Sequence, residues 1–556
     1  MNIEQIITKI ISFQPTTRAE FDDVKRKVCN KLSINQISNR DLLQAYQNLL
    51  KKKRVEPDKI LERFMRKADI RTLSGVAVVT SLCKPYNCPG KCIYCPTEAR
   101  MPKSYLASEP AAARALALQF DPYEQMTRRI EMLRLSGHPT DKIEYIIKGG
   151  SWNVYPLKYQ YWFILESFRA ANNLERSERS LFEASSNALK SDSSVASLLR
   201  NLKKEQNYND KIAKHKIIGL TLETRPDCIT PDTIHHMRQM GCTRIELGLQ
   251  APDDKILKLV KRGHTVEQFK DAMLLLRQAG FKVDLHFMPD LPGTTAKHDV
   301  EMYKSLFTDP GFKPDMVKIY PCTVIKTADL YKWYKQKKYK PYSEKKLFEA
   351  LIVMKISTPR YCRISRLIRD IPDNEIMGGN MITNLRQNLK KEMAIRGLKC
   401  ECLRCREVGH STLPPNHLTT LPPKLFVDKY ETTGGTEYFL SYEDKKRQVV
   451  YGFLRLRLPN KEKNNSNLSS LLGFSSLSSI SFIRELHTYG QLLELGTKNK
   501  SASQHKGLGK KLVEEAEKIA KKNRYKKLAV ISGVGVRGYY RKLGYKLEKT
   551  YMTKNI

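Results

Sequence analysis

Long hydrophobic runs are missing from this chain. No stretch of its 556 residues approaches the roughly twenty consecutive apolar side chains of a membrane-spanning helix. The start, Met1-Asn2-Ile3-Glu4, lacks the basic-then-apolar order of a secretory signal, so we read the protein as soluble and cytoplasmic. Acidic residues are scarce against basic ones, 58 Asp+Glu to 98 Lys+Arg, for a formal charge of +40. An excess of that size concentrates polyanions at the surface and speeds their encounter. Nucleic acid is the first candidate and phosphate-bearing coenzymes the second. A lysine-rich proteome would give the same excess, and charge does not separate RNA from DNA. A disulfide framework is also missing. Of twelve cysteines, seven fall in two short windows, Cys83, Cys88, Cys92, Cys95 and Cys400, Cys402, Cys405. That clustering in a long intracellular chain argues for metal sites.

At this length three or more structural units are expected. Residues 1–70 are Lys/Arg-rich and helix-patterned. From about 71 to 357, short β-branched runs alternate with helical patterns. The runs are Val76–Val79, Ile143–Ile147, Ile217–Leu222, Arg244–Leu249, Val283–Met288 and Met316–Tyr320. Alternation of this kind predicts an α/β fold, a partial barrel of about six parallel strands with helices outside and functional residues at the strand ends. Within it, about 175–212 is Ser-, Asn- and Lys-rich and reads as a mobile insertion. A linker follows at about 358–425. The last section, about 426–556, reads as a separate α+β domain with a polar insertion of its own at about 461–481, whose Asn464–Ser470 we expect to be a surface loop.

The run Cys88-Pro89-Gly90-Lys91-Cys92-Ile93-Tyr94-Cys95 is C-x3-C-x2-C, the spacing of an iron–sulfur cluster held by three thiolates. In a [4Fe–4S] cube three ligands leave one iron open, and S-adenosylmethionine is the molecule most often placed there. A zinc knuckle with Cys83 as fourth ligand competes on spacing alone. Gly149-Gly150 follows a strand and lets the backbone approach a ligand, suiting the amino group of a cluster-bound methionine moiety; a plain turn would look the same. Glu223, Arg225, Glu246 and Gln250 also lie at strand ends. Their charges suit a ribose or carboxylate, or form structural ion pairs. Cys400, Cys402 and Cys405 supply three soft ligands, and a fourth from Cys322, His410 or elsewhere would complete a structural zinc site.

In the last domain Gln504-His505-Lys506-Gly507-Leu508-Gly509 runs into a helical pattern. Backbone N–H groups at such a helix start can face a pyrophosphate, backed by the helix dipole. Downstream, Gly538-Tyr539-Tyr540-Arg541-Lys542-Leu543-Gly544-Tyr545 resembles the closing pattern of N-acetyltransferases that bind acetyl-coenzyme A.

A three-cysteine radical cluster joined to an acetyl-coenzyme A domain resembles the catalytic subunit of Elongator, the tRNA uridine carboxymethyltransferase family. The likeness runs from about residue 75 to the C-terminus. It is carried by motifs such as Leu222-Glu223-Thr224-Arg225-Pro226-Asp227, Lys261-Arg262-Gly263-His264-Thr265, Lys318-Ile319-Tyr320-Pro321 and Arg484-Glu485-Leu486-His487-Thr488-Tyr489-Gly490. The resemblance implies a radical SAM barrel at 71–357, a zinc-binding linker at 358–425, a GNAT-type domain at 426–556 and a basic tRNA-binding region at 1–70. It implies that Cys88, Cys92 and Cys95 hold the [4Fe–4S] cluster, with Cys83 a non-ligand, and that Cys400, Cys402 and Cys405 hold zinc. Gly149, Gly150, Glu223, Arg225 and Gln250 would bind S-adenosylmethionine. Gln504, His505, Lys506, Gly507, Leu508 and Gly509, with Tyr539 and Tyr540, would bind acetyl-CoA, the two tyrosines catalytically. Glu485, Leu486 and His487 would also bind cofactor. The implied reaction takes hydrogen from the acetyl methyl by a SAM-derived radical, joins the carbon to C5 of the wobble uridine, and hydrolyses the thioester to leave 5-carboxymethyluridine. The implied partner is the tRNA anticodon stem-loop. The tight first cysteine gap resembles archaeal-type or divergent members that act without obligatory partner subunits. Elongator-type subunits and a homodimer are compatible with it and not required. Two rival readings are a protein lysine acetyltransferase with structural metal clusters and a non-catalytic RNA-binding scaffold.

Overall fold

The computed structural model describes residues 2–66, 72, 74–174, 194–382, 384–408, 422–460, 465–489 and 507–556. Seven parallel strands form the first sheet: β1 (Ala77–Leu82), β2 (Lys142–Lys148), β3 (Lys216–Thr224), β4 (Arg244–Gln250), β5 (Lys282–Phe287), β6 (Met316–Ile319) and β7 (Arg363–Arg366). They pair in chain order from β1 to β7, and the two end strands do not pair with each other, so the barrel is open on one side. The first six match the expected runs. The seventh lies past residue 357, so a six-stranded barrel ending there is corrected to seven strands. The strand escapes notice because an edge strand of four residues needs one apolar anchor, here the fully buried Ile364.

The stretch read as a mobile insertion divides. Residues 175–193 lie outside the described residues, whereas Val195–Lys211 is a helix capped by Ser194, with Leu198 and Leu202 buried one turn apart. Its apolar stripe is too narrow to show through a polar composition. The expected loop at 464–470 is likewise helical over Ser466–Leu472. That helix buries Leu468 and Leu472 against the helix Pro231–Gln239 and ends on Gly473 in the left-handed region at φ 80°. Residues 2–66 make four helices around their own small apolar core of Ile7, Phe21, Leu42 and Tyr46. No helix among the described residues is long and apolar enough to cross a membrane.

The second sheet also has seven strands: β8 (Lys424–Thr432), β9 (Gly435–Glu443), β10 (Val450–Pro459), β11 (Ile480–Thr488), β12 (Lys527–Val530), β13 (Lys546–Glu548) and β14 (Tyr551–Asn555). Their order is β8-β9-β10-β11-β12-β14-β13, and β11 and β12 are the parallel pair. Every residue of β10 is buried, because both faces of the sheet are covered. Leu454, Leu456 and Leu458 join the core under the helix Leu508–Lys522, while Arg455 and Arg457 alternate onto the face that meets the barrel.

Apolar side chains of both domains share one core there, with Phe482 against Gly280 and Tyr361 stacked on Tyr430, and a buried ionic network runs through it. Arg277 of the barrel donates to Glu437 of β9 at 2.9 Å, as do Arg457 at 3.0 Å and Arg484 at 3.0 Å. Arg484 also clasps Asp315 of the barrel, donating through Nη1 at 2.9 Å, and Arg455 donates to Glu485 at 2.8 Å. A bulge in β11 opposite Arg455 lets Arg484 and Glu485, consecutive in sequence, both turn toward the barrel. Burial alone would raise the Asp315 carboxyl, yet the guanidiniums of Arg484, Arg277 and Arg455 hold it below the usual carboxylate range. Removing one partner from such a network strands buried charge. Glu437→Gln should therefore cost about 3–5 kcal/mol, read as a lower urea midpoint of the full chain. A loss below about 1 kcal/mol, the worth of an exposed pair, would show that the network does not hold the halves together.

Candidate functional site

Barrel interiors are ordinarily filled by branched apolar side chains. Here alternate positions of the strands carry charge and surround a cavity of about 790 Å³. Glu246 of β4 is its hub. Lys148 of β2 and Lys318 of β6 both pair with Glu246, and His286 Nε2 lies 3.3 Å from it. Lys148 also reaches Glu223 at 3.4 Å, and the Tyr105 hydroxyl donates to Glu223 at 2.8 Å. Lys318 faces Asp284 at 3.8 Å. Burial would raise Glu223, but the charges of Lys148 and Lys318 and the hydrogen bond from Tyr105 bring it down to about 2, so it is ionised. Burial and then Lys318 push His286 down to about 3, leaving a neutral imidazole. Burial likewise lowers Lys148.

The cysteine loop closes one end of this cavity. Cys88, Cys92 and Cys95 line it together with Arg262. Arg262 Nη1 lies 3.7 Å from Cys92 Sγ and Nη2 donates to the Gly248 carbonyl at 2.7 Å, while the Gly90 N–H points at Cys88 Sγ, 3.4 Å away. The hydrogen bond from Cys95 and the Arg262 charge bring the Cys92 thiol down to about 4. Cys83 is buried away from this cavity, and burial pushes its thiol up. Three thiol donors, one already thiolate, beside a guanidinium that offsets negative charge, fit an anionic cluster bound through three cysteines.

The strand-end residues separate by role. Gly149 (φ 136°) is a packing glycine, since a Cβ there would lie 3.0 Å from Cys83 Cβ. Gly150 (φ 90°) lines the cavity, and a Cβ there would meet only the Lys103 carbonyl, at 3.6 Å. Arg225 spends its Nε on Asp227 at 2.9 Å, as an ion pair, while its buried Nη1 has no hydrogen-bond partner among the described residues and would lie 2.5 Å from a Cβ on Gly90. Gln250, at φ 76°, ends β4 on the cavity wall.

At the second cysteine group, Cys400, Cys402 and Cys405 bring their sulfurs within 4.8 Å of one another. The sulfurs of a tetrahedral zinc site stand about 3.8 Å apart for bonds of about 2.3 Å, so the donor set fits zinc. Cys322 does not join them: it is buried beside Asp290 and Tyr339. His410 lies outside the described residues, and among those no fourth His, Cys, Asp or Glu falls within that distance.

In the second domain Gly507 (φ 76°) opens the helix Leu508–Lys522, and a Cβ on Gly509 would lie 2.7 Å from the Tyr539 hydroxyl. Tyr539 is partly exposed over this turn, while Tyr540 is buried in the domain core. Gln504, His505 and Lys506 lie outside the described residues. Glu485, Leu486 and His487 do not act as a group. Leu486 packs into the core with Tyr540, whereas Glu485 and His487 face the barrel and line the large cavity with Phe453 and Tyr489. Burial lowers His487 to about 4, and its Nε2 has no partner among the described residues. The cavity residues that sequence reading missed are Lys148, Lys318, His286, Arg262 and Tyr105. For Lys148, His286 and Lys318 the available signal was a polar or charged residue on strands whose inward face should be apolar, whereas Arg262 and Tyr105 lie on loops that carry no such pattern. The titration of Cys92 gives a test. In metal-free protein its thiolate absorbance should appear far below pH 9.0, and Arg262→Met should move it upward. An unmoved titration would remove Arg262 from that role.

Matches to known families agree with this geometry. The Radical SAM superfamily model matches residues 191–306, its C-terminal domain model 314–394, and the acetyltransferase (GNAT) family model 414–545. The chain is 42% identical over 554 residues to tRNA uridine(34) acetyltransferase of Methanocaldococcus infernus, covering 95% of this chain and 96% of that protein. It is 36% identical over 503 residues to Elongator complex protein 3 of Danio rerio, covering 88% and 85%. The solved structure of the archaeal Methanocaldococcus infernus Elp3 with an N-terminal deletion superposes with TM-score 0.69 at 38% identity, covering 87% of this chain and all of that one. With a radical SAM partial barrel and a GNAT domain in one chain, this protein belongs to the family of Elongator complex protein 3 and the tRNA uridine(34) acetyltransferases.

Proposed function

We propose that the protein modifies the wobble uridine of tRNA, building 5-carboxymethyluridine from acetyl-CoA by radical chemistry. The observation that carries this reading is the single cavity, with the cysteine loop at one end and β11 of the acetyltransferase domain at the other. A cluster held by Cys88, Cys92 and Cys95 would supply the electron that cleaves S-adenosylmethionine and so the radical that takes hydrogen from the acetyl methyl.

The protein's own groups do the rest. Cys83 keeps its proton and leaves the three-ligand set undisturbed. Gly150, Glu223 and Gln250 shape the wall nearest the cysteines, where Glu223, ionised, offers a carboxylate to a ribose or an ammonium. Lys148 and Lys318 neutralise part of the charge of Glu223, Glu246 and Asp284, and Arg225, Arg262 and Arg369 add to a lining richer in cations than in carboxylates. At the far end the neutral His487 presents an unpartnered Nε2. It can take a proton from the water that hydrolyses the thioester. Tyr539 lies over the Gly507–Gly509 turn with Tyr540 buried in the core behind it, and there it would contact the pantetheine arm. The net charge of +40 draws in the anticodon stem-loop, and we assign residues 1–66 to that contact as a basic helical unit. Cys400, Cys402 and Cys405 would hold zinc between the halves.

The deciding experiment supplies reconstituted, reduced protein with S-adenosylmethionine, acetyl-labelled coenzyme A and unmodified tRNA, then digests the tRNA for mass spectrometry. Label should appear in 5-carboxymethyluridine. Label on protein lysines instead, indifferent to S-adenosylmethionine, would favour a lysine acetyltransferase. Cys92→Ser should abolish the modified nucleoside while tRNA and acetyl-CoA still bind, and unchanged yield in that variant would sink the radical assignment. Tyr540→Phe should raise KM for acetyl-CoA if its hydroxyl reaches the thioester, and normal kinetics would return that residue to packing.

A further inference from the structure

The two tyrosines of the acetyl-CoA reading sit on one short helix, Arg537–Arg541. Its residues face three ways. Tyr540 points into the acetyltransferase core and Tyr539 lies over Gly509. Arg537 and Arg541, four apart and so on one face, point at the radical SAM half. Their counterpart is Asp210, near the end of the helix Val195–Lys211, with a side chain only 2% exposed. Arg541 grips this carboxylate with both terminal nitrogens, Nη1 donating to Oδ1 at 3.3 Å and Nη2 to Oδ2. Arg537, itself buried, feels the same carboxylate, and so does Lys216, whose Nζ donates to the Asn209 and Asp210 carbonyls at 2.9 Å each. Asp210 thus pairs directly with Arg541 of the helix that bears the tyrosines, with the charges of Arg537 and Lys216 close by.

The chain just before this helix is fixed to the barrel as well. The turn Val534–Val536 lies against the first residues of β3. A side chain on Gly533 would strike the Ile218 carbonyl, and one on Gly535 would come within 2.6 Å of Lys216 Cβ. A backbone pivot therefore holds one end of the segment and an ion pair the other, and both anchors belong to the opposite domain.

We propose that Asp210, in the radical SAM half, is a positioning residue for the acetyl-CoA site of the GNAT half. The proposal rests on the assignment of Gly507–Gly509 and Tyr539 to acetyl-CoA. It makes capture of the thioester dependent on a residue that does not touch it, through the placement of Tyr539 over Gly509. Without the carboxylate, Arg537, Arg541 and Lys216 repel one another and the helix end has no charged anchor.

Titration calorimetry of acetyl-CoA into the full-length protein tests this, with reductive cleavage of S-adenosylmethionine by cluster-loaded protein as the control. Asp210→Asn should raise the acetyl-CoA Kd by about tenfold or more while the cleavage rate stays at the wild-type value, and Asp210→Glu should recover binding. If Asp210→Asn does not fold, Arg541→Gln, at the partly exposed partner, makes the same comparison. An unchanged Kd, or equal losses of thioester binding and S-adenosylmethionine cleavage, would overturn the role of Asp210. Wild-type protein that binds no acetyl-CoA would overturn the reading beneath it, and the proposal with it.

Discussion

Four buried arginines set the architecture. Arg277 from the barrel and Arg455, Arg457 and Arg484 from the second sheet share Glu437, Asp315 and Glu485, with no more than 1% exposure for any of the four. A hydrophobic interface tolerates sliding, because area removed from water has no direction. Guanidinium forks on carboxylates do not, because each must meet its partner in one geometry. Desolvating these charges is unfavourable by itself, and their mutual attraction offsets it only in that geometry. The interface therefore acts less as glue than as a register between two domains that must share one cavity.

The lumen follows the same logic at smaller scale. Two lysines and a neutral histidine around Glu246 replace the apolar filling of an ordinary barrel. The barrel gives up apolar packing there and keeps open space in return. Stability is drawn instead from the outer layer, where Phe163, Ile164, Leu276 and Leu306 pack fully buried between helices and sheet.

How much of this is readable in one dimension depends on range. Six strands are visible because each carries several apolar residues at short spacing, whereas β7 has only Ile364 to show. The helix Val195–Lys211 hides behind its polar face. The cysteine groups are legible because their ligand spacing is local. The charged lumen is not, since Lys148 and Lys318 lie 170 residues apart and meet only when the sheet curls. Gly149 and Gly150 look identical in sequence. The Cys83 strand packed against one of them gives the pair two separate duties.

Strand β11 is a party wall. Leu486 furnishes the room on one side of it, and Glu485 and His487 the room on the other. Because side chains alternate with a period of two past the bulge, one residue gained or lost between Glu485 and Thr488 would exchange the contents of both rooms at once unless a second bulge absorbed it. A change of length in β11 past the bulge is therefore a change to both domains, whereas a single substitution there alters one room.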